Sequence, residues 1–362
     1  MARALELAAR GIGLTSPNPA VGAVLVRDGA VVGEGGHLRA GAPHAEVVAL
    51  TEAGARARGA TCYVTLEPCA HHGRTPPCAD ALAAAGVARV VAASADPNPR
   101  VDGRGFHRLR ASGILVEVGV GEAEARALNR AFFTFMKTGR PHVTLKSAMT
   151  LDGKIAAADG TSRWVTGEAA RAEAHRLRFA ADAVLVGIGT VLQDDPQLTV
   201  RVPDLPAKEP LRVVADSRLR TPPDARVVTA GDPSRTLVAC VGPAPAPSAA
   251  ALRARGVQVL EMPADGGRVD LGALLVALAG LEVVGVLAEG GAELGAGLLD
   301  ADLVDRIAFF VAPRLLGGRS APGPIGGPGR ALKAVIALTG MSRRLVGEDL
   351  LVEADVVRDR VT

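Results

Sequence analysis

The chain has 362 residues, of which 48% are hydrophobic, 22% charged and 2% aromatic, and its formal net charge is +3. This composition is typical of a folded globular protein, and the length predicts two domains. So small a charge and so few aromatic rings disfavour a long nucleic acid as partner. Four cysteines do not make a disulfide framework, and Gly280 and Glu282 interrupt the apolar run at 271–288. We therefore expect a cytoplasmic protein with no nucleic-acid partner and no membrane span.

The first part of the sequence predicts an α/β domain. Its expected elements are a helix at 1–10, strands at 21–26 and 30–35, a helix at 44–57, a strand at 61–66, a helix at 79–85, strands at 88–93 and 114–118, and a helix at 122–137. Asp28-Gly29 is a strong signal for a hairpin turn between the first two strands. The later strand–helix–strand alternation predicts parallel strands, with a site at their carboxyl ends.

The break at 138–141 predicts a domain boundary, which divides the chain into residues 1–140 and 141–362. The second part again alternates strands and helices and predicts a largely parallel sheet. Its expected elements are a helix at 168–179 and strands at 142–148, 183–187, 211–215, 236–240, 283–288 and 306–311.

One imidazole and two thiols in the first domain have the composition of a catalytic zinc site. His44, Cys69 and Cys78 would bind the ion and leave a fourth position for water. Glu46, two residues from His44, would act as general base and then general acid. This arrangement resembles the H-x-E…P-C-x-x-C pattern of the zinc nucleobase deaminases.

The spacing departs from that pattern, because eight residues rather than two separate Cys69 from Cys78. A purely structural zinc site is the alternative, since His71 or His72 would supply the fourth protein ligand that such a site needs. Cys62 and Cys240 have no neighbours at ligand spacing, and we expect them to be buried small hydrophobic residues.

A glycine-rich stretch in the second domain, 289–297, follows a predicted strand and opens a predicted helix. Its backbone N–H groups and the helix dipole are suited to a pyrophosphate, although such a turn also occurs without a ligand. Gly187-Ile188-Gly189 lacks the third glycine of the dinucleotide-binding fingerprint, so we do not expect that motif there.

Four segments of the first domain together resemble the bifunctional riboflavin biosynthesis deaminase/reductase family. They are Pro17-Asn18-Pro19-Ala20-Val21-Gly22-Ala23-Val24, Leu66-Glu67-Pro68-Cys69, the long insert 70–77 and Asp96-Pro97-Asn98-Pro99. The resemblance implies a cytidine-deaminase-like α/β/α fold and hydrolytic deamination of 2,5-diamino-6-ribosylamino-4(3H)-pyrimidinone 5′-phosphate. It also implies that this substrate is contacted by Asn18, His71, Arg74, Asp96 and Asn98. Arg74 stands where the family usually has Lys, which keeps the charge but changes the geometry.

The second domain resembles the reductase half of the same family. The motifs are 140–146, 151–156, 162–167, 182–187, 190–196 and 198–201. The resemblance implies a dihydrofolate-reductase-like α/β fold, NADPH-dependent reduction of the ribosyl group to a ribityl chain, and a homodimer formed through this half. NADPH would be touched by Ala148, Trp164, Thr190, Asp194, Ser217 and the turn from Gly291 through Gly295 to Gly297. The substrate would be held by Ser162, Arg178, Leu198, Arg201 and Glu289. Lys146 and Glu289 are the candidate proton donors, and Asp152, which we expect to fix its loop, is a rival.

Two other functions are compatible with the zinc pattern: a nucleic-acid-editing deaminase with an appended domain, and a zinc-stabilised scaffold that has lost catalysis. The low charge and aromatic content disfavour the first. The complete set of His44, Glu46, Cys69 and Cys78 disfavours the second. The sequence therefore predicts an enzyme with a zinc-dependent deaminase half and an NADPH-dependent reductase half.

Overall fold

The computed structural model describes residues 1–70 and 77–358. The chain forms two compact units, Met1–Arg140 and Pro141–Thr362. In the described part of the chain, no helix is both long enough and apolar enough to cross a membrane.

The first unit is an α/β structure built on one sheet. Its strands are β1 (Gly22–Arg27), β2 (Ala30–Gly36), β3 (Thr61–Val64), β4 (Arg89–Ala92) and β5 (Leu115–Val118). Its helices are α1 (Ala2–Ala9), α2 (Ala45–Ala53), α3 (Cys78–Ala84), α4 (Arg104–Ala111), α5 (Glu122–Leu128) and α6 (Arg130–Thr138). Residues 54–57 continue α2 as a short 3₁₀ turn, so the helix predicted at 44–57 has a tighter last turn.

The sheet has the order β2-β1-β3-β4-β5. Strands β1 and β2 pair antiparallel through a turn in which Asp28 and Gly29 both have positive φ, as the hairpin signal predicts. Strands β3, β4 and β5 are mutually parallel, which confirms the expected parallel arrangement. The carboxyl ends of β3 and β4 therefore lie at one edge of the sheet, next to the segments that begin at 65 and 93.

Helix α2 packs closely on β2 because two positions of that strand carry no side chain. A Cβ atom at Gly33 would lie 2.3 Å from the carbonyl oxygen of Ala49, and one at Gly35 would lie 2.4 Å from that of Ala45. Only glycine permits so close an approach. The position of α2 on the sheet, and with it that of His44 at its N-terminus, follows from these two glycines.

The helix predicted at 122–137 is wrong as a single helix, because it breaks at Asn129. The buried Asn129 side chain accepts a hydrogen bond from the N–H of Ala20 (2.8 Å) and donates one to the carbonyl of Ala20 (2.8 Å). This pairing ties the loop before β1 to the α5–α6 junction and takes Asn129 out of the helical conformation.

The second unit is also α/β. Its helices are α7 (Glu168–Ala180), α8 (Ile188–Asp194), α9 (Arg226–Thr229), α10 (Ala246–Ala254), α11 (Leu271–Gly280) and α12 (Ala292–Asp300). Its strands are β6 (His142–Thr150), β7 (Ala183–Gly187), β8 (Leu211–Ala215), β9 (Thr236–Val241), β10 (Gln258–Met262), β11 (Ala264–Asp265), β12 (Arg268–Val269), β13 (Gly285–Glu289), β14 (Arg306–Ala312), β15 (Leu338–Val346) and β16 (Asp349–Val356).

Nine of these strands form one sheet in the order β10-β9-β8-β7-β13-β6-β14-β16-β15. From β10 to β14 all pairs are parallel, which confirms the largely parallel sheet expected from the sequence. The inner strands are buried on both faces, as apolar residues of β7, β8 and β9 in two core clusters show.

The sequence did not predict β10 or the C-terminal hairpin of β15 and β16. The hairpin adds two antiparallel strands beyond β14. Nearly all of β15 is exposed, and it has no alternation of buried and exposed residues that would have identified it as a strand.

Candidate active sites

Three elements of the first unit bring together the predicted metal ligands. His44 is the N-cap residue of α2, Cys78 is the first residue of α3, and Cys69 follows β3 at the carboxyl edge of the sheet. The backbone N–H of Cys78 donates to Sγ of Cys69 at 3.2 Å, and the N–H of Ala79 donates to the carbonyl oxygen of Cys69 at 3.2 Å. The start of α3 therefore holds Cys69 in place.

The three side chains have the geometry of a tetrahedral zinc site. Nδ1 of His44 lies 3.1 Å from Sγ of Cys78 and 3.7 Å from Sγ of Cys69, and the three candidate ligand atoms all lie within 4.8 Å of one another. Ideal bond lengths and angles at zinc place a nitrogen and a sulfur ligand about 3.6 Å apart. The donor set of one nitrogen and two sulfurs therefore fits zinc, with one coordination position open.

The ionisation of Cys69 also suits a metal ligand, because the thiolate is the form that binds. Its pKa is lowered, chiefly by the hydrogen bond from the Cys78 thiol and further by His44, while the same bond raises the pKa of Cys78.

Glu46 lies in the first turn of α2 and is buried, with 4% of its surface exposed. Burial raises its pKa to about 7, and its carboxyl group lies within hydrogen-bonding reach of the Cys78 thiol. A carboxyl group that binds and releases a proton near neutral pH is suited to act as base and then as acid.

Polar groups predicted to contact substrate lie around this cluster. The amide nitrogen of Asn18 is 3.5 Å from Nε2 of His37, whose ring stacks edge-on with that of His44 at 5.5 Å between centroids. Asp96 is buried, burial raises its pKa to about 6, and the charge of Cys69 contributes to that rise. Asn18 and Asp96 are thus brought near the metal ligands, and Asn98 lies two residues further along the same loop.

Two predicted substrate contacts, His71 and Arg74, lie outside the described residues, as does His72, the other candidate for a fourth metal ligand. Glu67, for which the sequence predicts no role, is buried and accepts four hydrogen bonds from backbone N–H groups. Its position could have indicated a role. A carboxylate between a predicted buried strand and Pro68-Cys69 is itself expected to be buried, and a buried glutamate usually has a hydrogen-bonding or charged partner. Cys62 and Cys240 are buried and unpaired, as expected.

The second unit contains a cavity of about 790 Å³ beside the carboxyl ends of β7 and β13. Its lining includes eleven of the residues predicted for the reductase site: Lys146, Ala148, Ser162, Trp164, Arg178, Thr190, Asp194, Leu198, Arg201, Glu289 and Gly291. Residues from five separate segments therefore meet at one site.

A buried carboxylate lies at the base of this cavity. Glu289 ends β13 and receives two hydrogen bonds from Arg178, from Nε to Oε1 at 2.6 Å and from Nη2 to Oε2 at 2.8 Å. Lys146, the register partner of Glu289 on β6, has its Nζ 4.0 Å from Oε2. Burial alone would raise the pKa of Glu289, but the charges of Arg178 and Lys146 outweigh it and lower the pKa to about 2.

For the pKa of Lys146, in contrast to that of Glu289, burial sets the direction of the shift. Burial lowers its pKa, the charge of Glu289 partly opposes this, and the charge of Arg178 lowers it further. Lys146 is therefore a readier proton donor than an exposed lysine, whereas Glu289 remains ionised at neutral pH.

Strand β13 leads through Gly290 and Gly291, both with positive φ, into α12, which confirms the expected strand–turn–helix sequence. Thr190 lies beside this turn. On another wall, the hydroxyl of Ser162 donates to Asp194 at 2.6 Å, and the exposed ring of Trp164 stacks with Arg171 at 4.6 Å. The wall thus offers both an aromatic surface and hydrogen-bonding groups to a ligand.

Three of the predicted cofactor residues are not among those that line the cavity: Ser217, Gly295 and Gly297. The Ser217 hydroxyl accepts a hydrogen bond from the N–H of Val269 at 3.0 Å. Asp152 is also absent from the lining. Its carboxylate accepts hydrogen bonds from Thr150 and from the N–H groups of Leu316 and Gly317, and these lower its pKa to about 2. Asp152 thus fixes its loop, the role expected for it.

Comparisons with known proteins agree with this arrangement. The family model of the cytidine and deoxycytidylate deaminase zinc-binding region matches residues 1–94, and that of the RibD C-terminal domain matches residues 141–352. The matches and the two sites define the class of the protein: a zinc-dependent deaminase joined to a reductase in one chain.

Similarity to individual proteins extends over the whole chain. The riboflavin biosynthesis protein RibD of Actinobacillus pleuropneumoniae is 44% identical over 99% of this chain and 94% of that protein, and RibD of Escherichia coli K12 is 46% identical over 88% of each. The solved structure of Acinetobacter baumannii RibD superposes with a TM-score of 0.89 at 40% identity, covering 99% of this chain and 98% of that one. The chain belongs to the RibD family of riboflavin biosynthesis proteins, whose cofactors are zinc and NADPH. The family and the two α/β folds expected from the sequence are confirmed.

Proposed function

We propose that residues 1–140 deaminate 2,5-diamino-6-ribosylamino-4(3H)-pyrimidinone 5′-phosphate and that residues 141–362 reduce the ribosyl group to a ribityl chain. A solved relative from Thermotoga maritima, 36% identical over 99% of this chain with a TM-score of 0.85, is described as a diaminohydroxyphosphoribosylaminopyrimidine deaminase and 5-amino-6-(5-phosphoribosylamino)uracil reductase. The observation that carries the proposal is the convergence of His44, Cys69 and Cys78 beside the buried Glu46.

In the deamination, His44, Cys69 and Cys78 would hold zinc, which would supply an activated water molecule as nucleophile. Glu46 would take a proton from the attacking water as the oxygen of that water adds to C2 of the pyrimidinone ring. The same carboxyl group then gives the proton to the 2-amino nitrogen, so that ammonia leaves and a C2 carbonyl remains. The high pKa of Glu46 supports both steps, because neither protonation state is strongly favoured near neutral pH.

Asn18, Asp96 and Asn98 would orient the nucleotide beside the metal. The side-chain oxygen of Asn98 accepts the N–H of Arg100 at 3.0 Å, which leaves its amide N–H₂ group for a ligand oxygen. His71 and Arg74 would contact the phosphate, since a guanidinium group offers two parallel hydrogen bonds to it.

In the reduction, the cavity would hold NADPH, which would supply the hydride that C1′ of the ribosyl group needs once its ring has opened. Lys146 gives the proton that the ring oxygen needs in order to leave C1′, and Glu289 stays ionised and accepts hydrogen bonds from ribosyl hydroxyl groups. The pair of opposite pKa shifts supports this division of roles, because burial makes Lys146 release its proton more readily than an ordinary lysine, whereas Glu289 is held ionised.

The two ligands would occupy different parts of the cavity. NADPH would contact Ala148, Trp164, Thr190, Asp194 and Gly291, with its phosphates near the N–H groups at the start of α12. Ser162, Arg178, Leu198 and Arg201 would hold the substrate. Ser217, Gly295 and Gly297 do not line the cavity, so they would contact the cofactor only if it extended past the residues that do.

We also propose a homodimer formed through the second unit. Strand β15 is an edge strand nine residues long that exposes Met341 (65%) and Leu345 (73%). Unprotected edges of this length pair with other strands, and a second copy supplies an identical one. The molar mass in solution, compared with that of a Leu345→Glu variant, tests this directly. A reducing compartment such as the cytoplasm suits the protein, since Cys69 and Cys78 must remain reduced, outside any disulfide, to bind metal.

The test of the proposed activities is to incubate the purified protein with the diamino substrate and NADPH. Release of ammonia together with oxidation of NADPH is the expected result. Absence of both in zinc-loaded protein would contradict the proposal.

A further inference from the structure

Glu67 is a buried carboxylate for which the reaction above provides no role. It lies three residues beyond the end of β3 and two residues before the metal ligand Cys69, and 4% of its surface is exposed. A carboxyl group so deeply buried needs hydrogen-bond partners, because its desolvation is otherwise unfavourable.

Among the described residues, the carboxylate accepts four hydrogen bonds, and each comes from the backbone of one segment, residues 96–106. Oε2 accepts from the N–H of Asp96 at 3.2 Å and from that of Gly103 at 3.0 Å. Oε1 accepts from the N–H of Gly105 at 2.8 Å and from that of Phe106 at 3.3 Å. One carboxylate thus holds both ends of a loop that leaves β4 and enters α4.

The loop between these anchors carries two of the proposed substrate contacts. The N–H of Asn98 donates to Oδ1 of Asp96 at 2.8 Å, and the N–H of Arg100 donates to Oδ1 of Asn98 at 3.0 Å. These bonds fix Asp96 and Asn98 relative to each other but do not attach the loop to the metal ligands. Within residues 1–70 and 77–358, the hydrogen bonds that make this attachment are those accepted by Glu67.

A second observation shows that the two segments are in direct contact. A Cβ atom on Gly105 would lie 1.9 Å from the carbonyl oxygen of Pro68, the residue between Glu67 and Cys69. Glycine is therefore required there for α4 to lie against the segment that carries the metal ligand.

We propose that Glu67 is a positioning residue for deamination, which sets the distance between the metal ligand Cys69 and the substrate-binding loop 96–98. The proposal rests on the deaminase function assigned above. Through its backbone, Glu67 holds Cys69 on one side, and through its carboxylate it holds Asp96 and Asn98 on the other. It does not touch the reacting atoms.

Glu67→Gln is the most informative substitution. It keeps the size of the side chain but replaces one acceptor oxygen by an N–H₂ group, which would face two backbone N–H donors. Two of the four backbone N–H groups would lose their acceptor, the loop would be held less closely to Glu67, and Asp96 and Asn98 would shift relative to the nucleotide. We expect the KM for deamination to rise about tenfold, with a smaller change in kcat.

Glu52→Gln is the matched control, since Glu52 is an exposed carboxylate of the same unit that accepts a single backbone N–H, that of Glu34. Both variants are assayed for ammonia release, for bound zinc and, with the deaminated substrate supplied, for NADPH oxidation. Turnover by the wild-type protein tests the proposed deaminase function. If wild type releases no ammonia, that function is wrong, and this outcome is distinct from a failure of the proposal for Glu67. The Glu52 variant should match wild type in all three measurements.

Two further measurements separate positioning from general support of the fold. Gly105→Ala disturbs the same contact from the α4 side and should also raise KM while zinc and reductase activity stay unchanged. The fold-changes in KM caused by Glu67→Gln and Asn98→Ala should not multiply in the double variant, because both act on the same contact. An unchanged KM in both single variants, loss of zinc with unchanged KM in the zinc-bound fraction, or fully multiplicative effects would overturn the proposal.

Discussion

Arg178 and Glu289 form a two-point ion pair inside the second unit, with 14% of the arginine side chain and 8% of the glutamate side chain exposed. The third N–H group used by this arginine, on Nη1, donates to the carbonyl of Thr199 at 3.1 Å. The pair therefore joins α7, the end of β13 and the loop after α8. A buried pair is costly to break on one side, because the remaining charge has no partner.

Arg178→Ala should therefore destabilise the second unit by about 3 kcal/mol and reduce its activity strongly. Without the arginine, Glu289 loses its largest stabilising charge and becomes easier to protonate. Chemical denaturation measures the stability, and NADPH oxidation with the deaminated substrate measures the activity. The conservative variant Arg178→Lys keeps the charge but not the two-point geometry, so its activity should fall between those of wild type and Arg178→Ala.

Acid should weaken the second unit through Glu289. Its pKa is 4.5 as an ordinary value and about 2 in the folded protein, so the folded state binds this proton less readily than the unfolded state. The pair contributes its full stability above about pH 4.5, and this contribution is lost as the pH falls toward about 2. The upper limit of the loss is about 3 kcal/mol. Urea-unfolding midpoints of wild type and Glu289→Gln, compared from about pH 6 down to about pH 3, should converge as the pH falls.

Lys146→Met should abolish most of the reduction without affecting deamination. Loss of a positioned proton donor typically lowers kcat by about 10²- to 10⁴-fold. Because burial lowers the pKa of Lys146, the reductase rate of wild type should decline with rising pH before an ordinary lysine would lose its proton. The pH–rate profile of NADPH oxidation checks this, and a wild-type rate in the Lys146→Met protein would remove Lys146 from the mechanism.

Removal of zinc should stop ammonia release and leave reduction of the deaminated substrate intact. Chelation followed by addition of zinc measures this in the wild-type protein. Cys78→Ser should reproduce the loss permanently, because a hydroxyl is a poor zinc ligand. Cys62→Ala is the control, since Cys62 is a buried cysteine outside the ligand cluster. Loss of both activities on chelation would favour the structural role for the metal.

The deaminase ligands could be predicted from sequence because their chemistry is local. His44 and Glu46 lie in one helical turn, and Cys69 and Cys78 lie at the ends of one segment. The alternation of strands and helices then identified the sheet edge where they meet. These features depend on neighbours in the chain and on simple topological rules.

Other features depend on contacts between distant residues and have no local signal. Asn129 breaks a helix because it binds the backbone of Ala20, which is 109 positions away. Glu67 anchors a loop that begins 29 positions later. The edge strand β15 is exposed along nearly its whole length, so its sequence lacks the alternation of apolar and polar residues that identifies a half-buried strand. Each of these became apparent only from the fold.

The most direct test of the deaminase site is Glu46→Gln in the intact, zinc-loaded protein, with ammonia release and NADPH oxidation measured separately. Supplying the deaminated substrate in the second assay makes the two measurements independent. We predict that ammonia release falls by about 10²-fold or more while NADPH oxidation stays at the wild-type rate. Ammonia release at the wild-type rate, or an equal loss of both activities, would contradict the assignment of deamination to the site formed by His44, Glu46, Cys69 and Cys78.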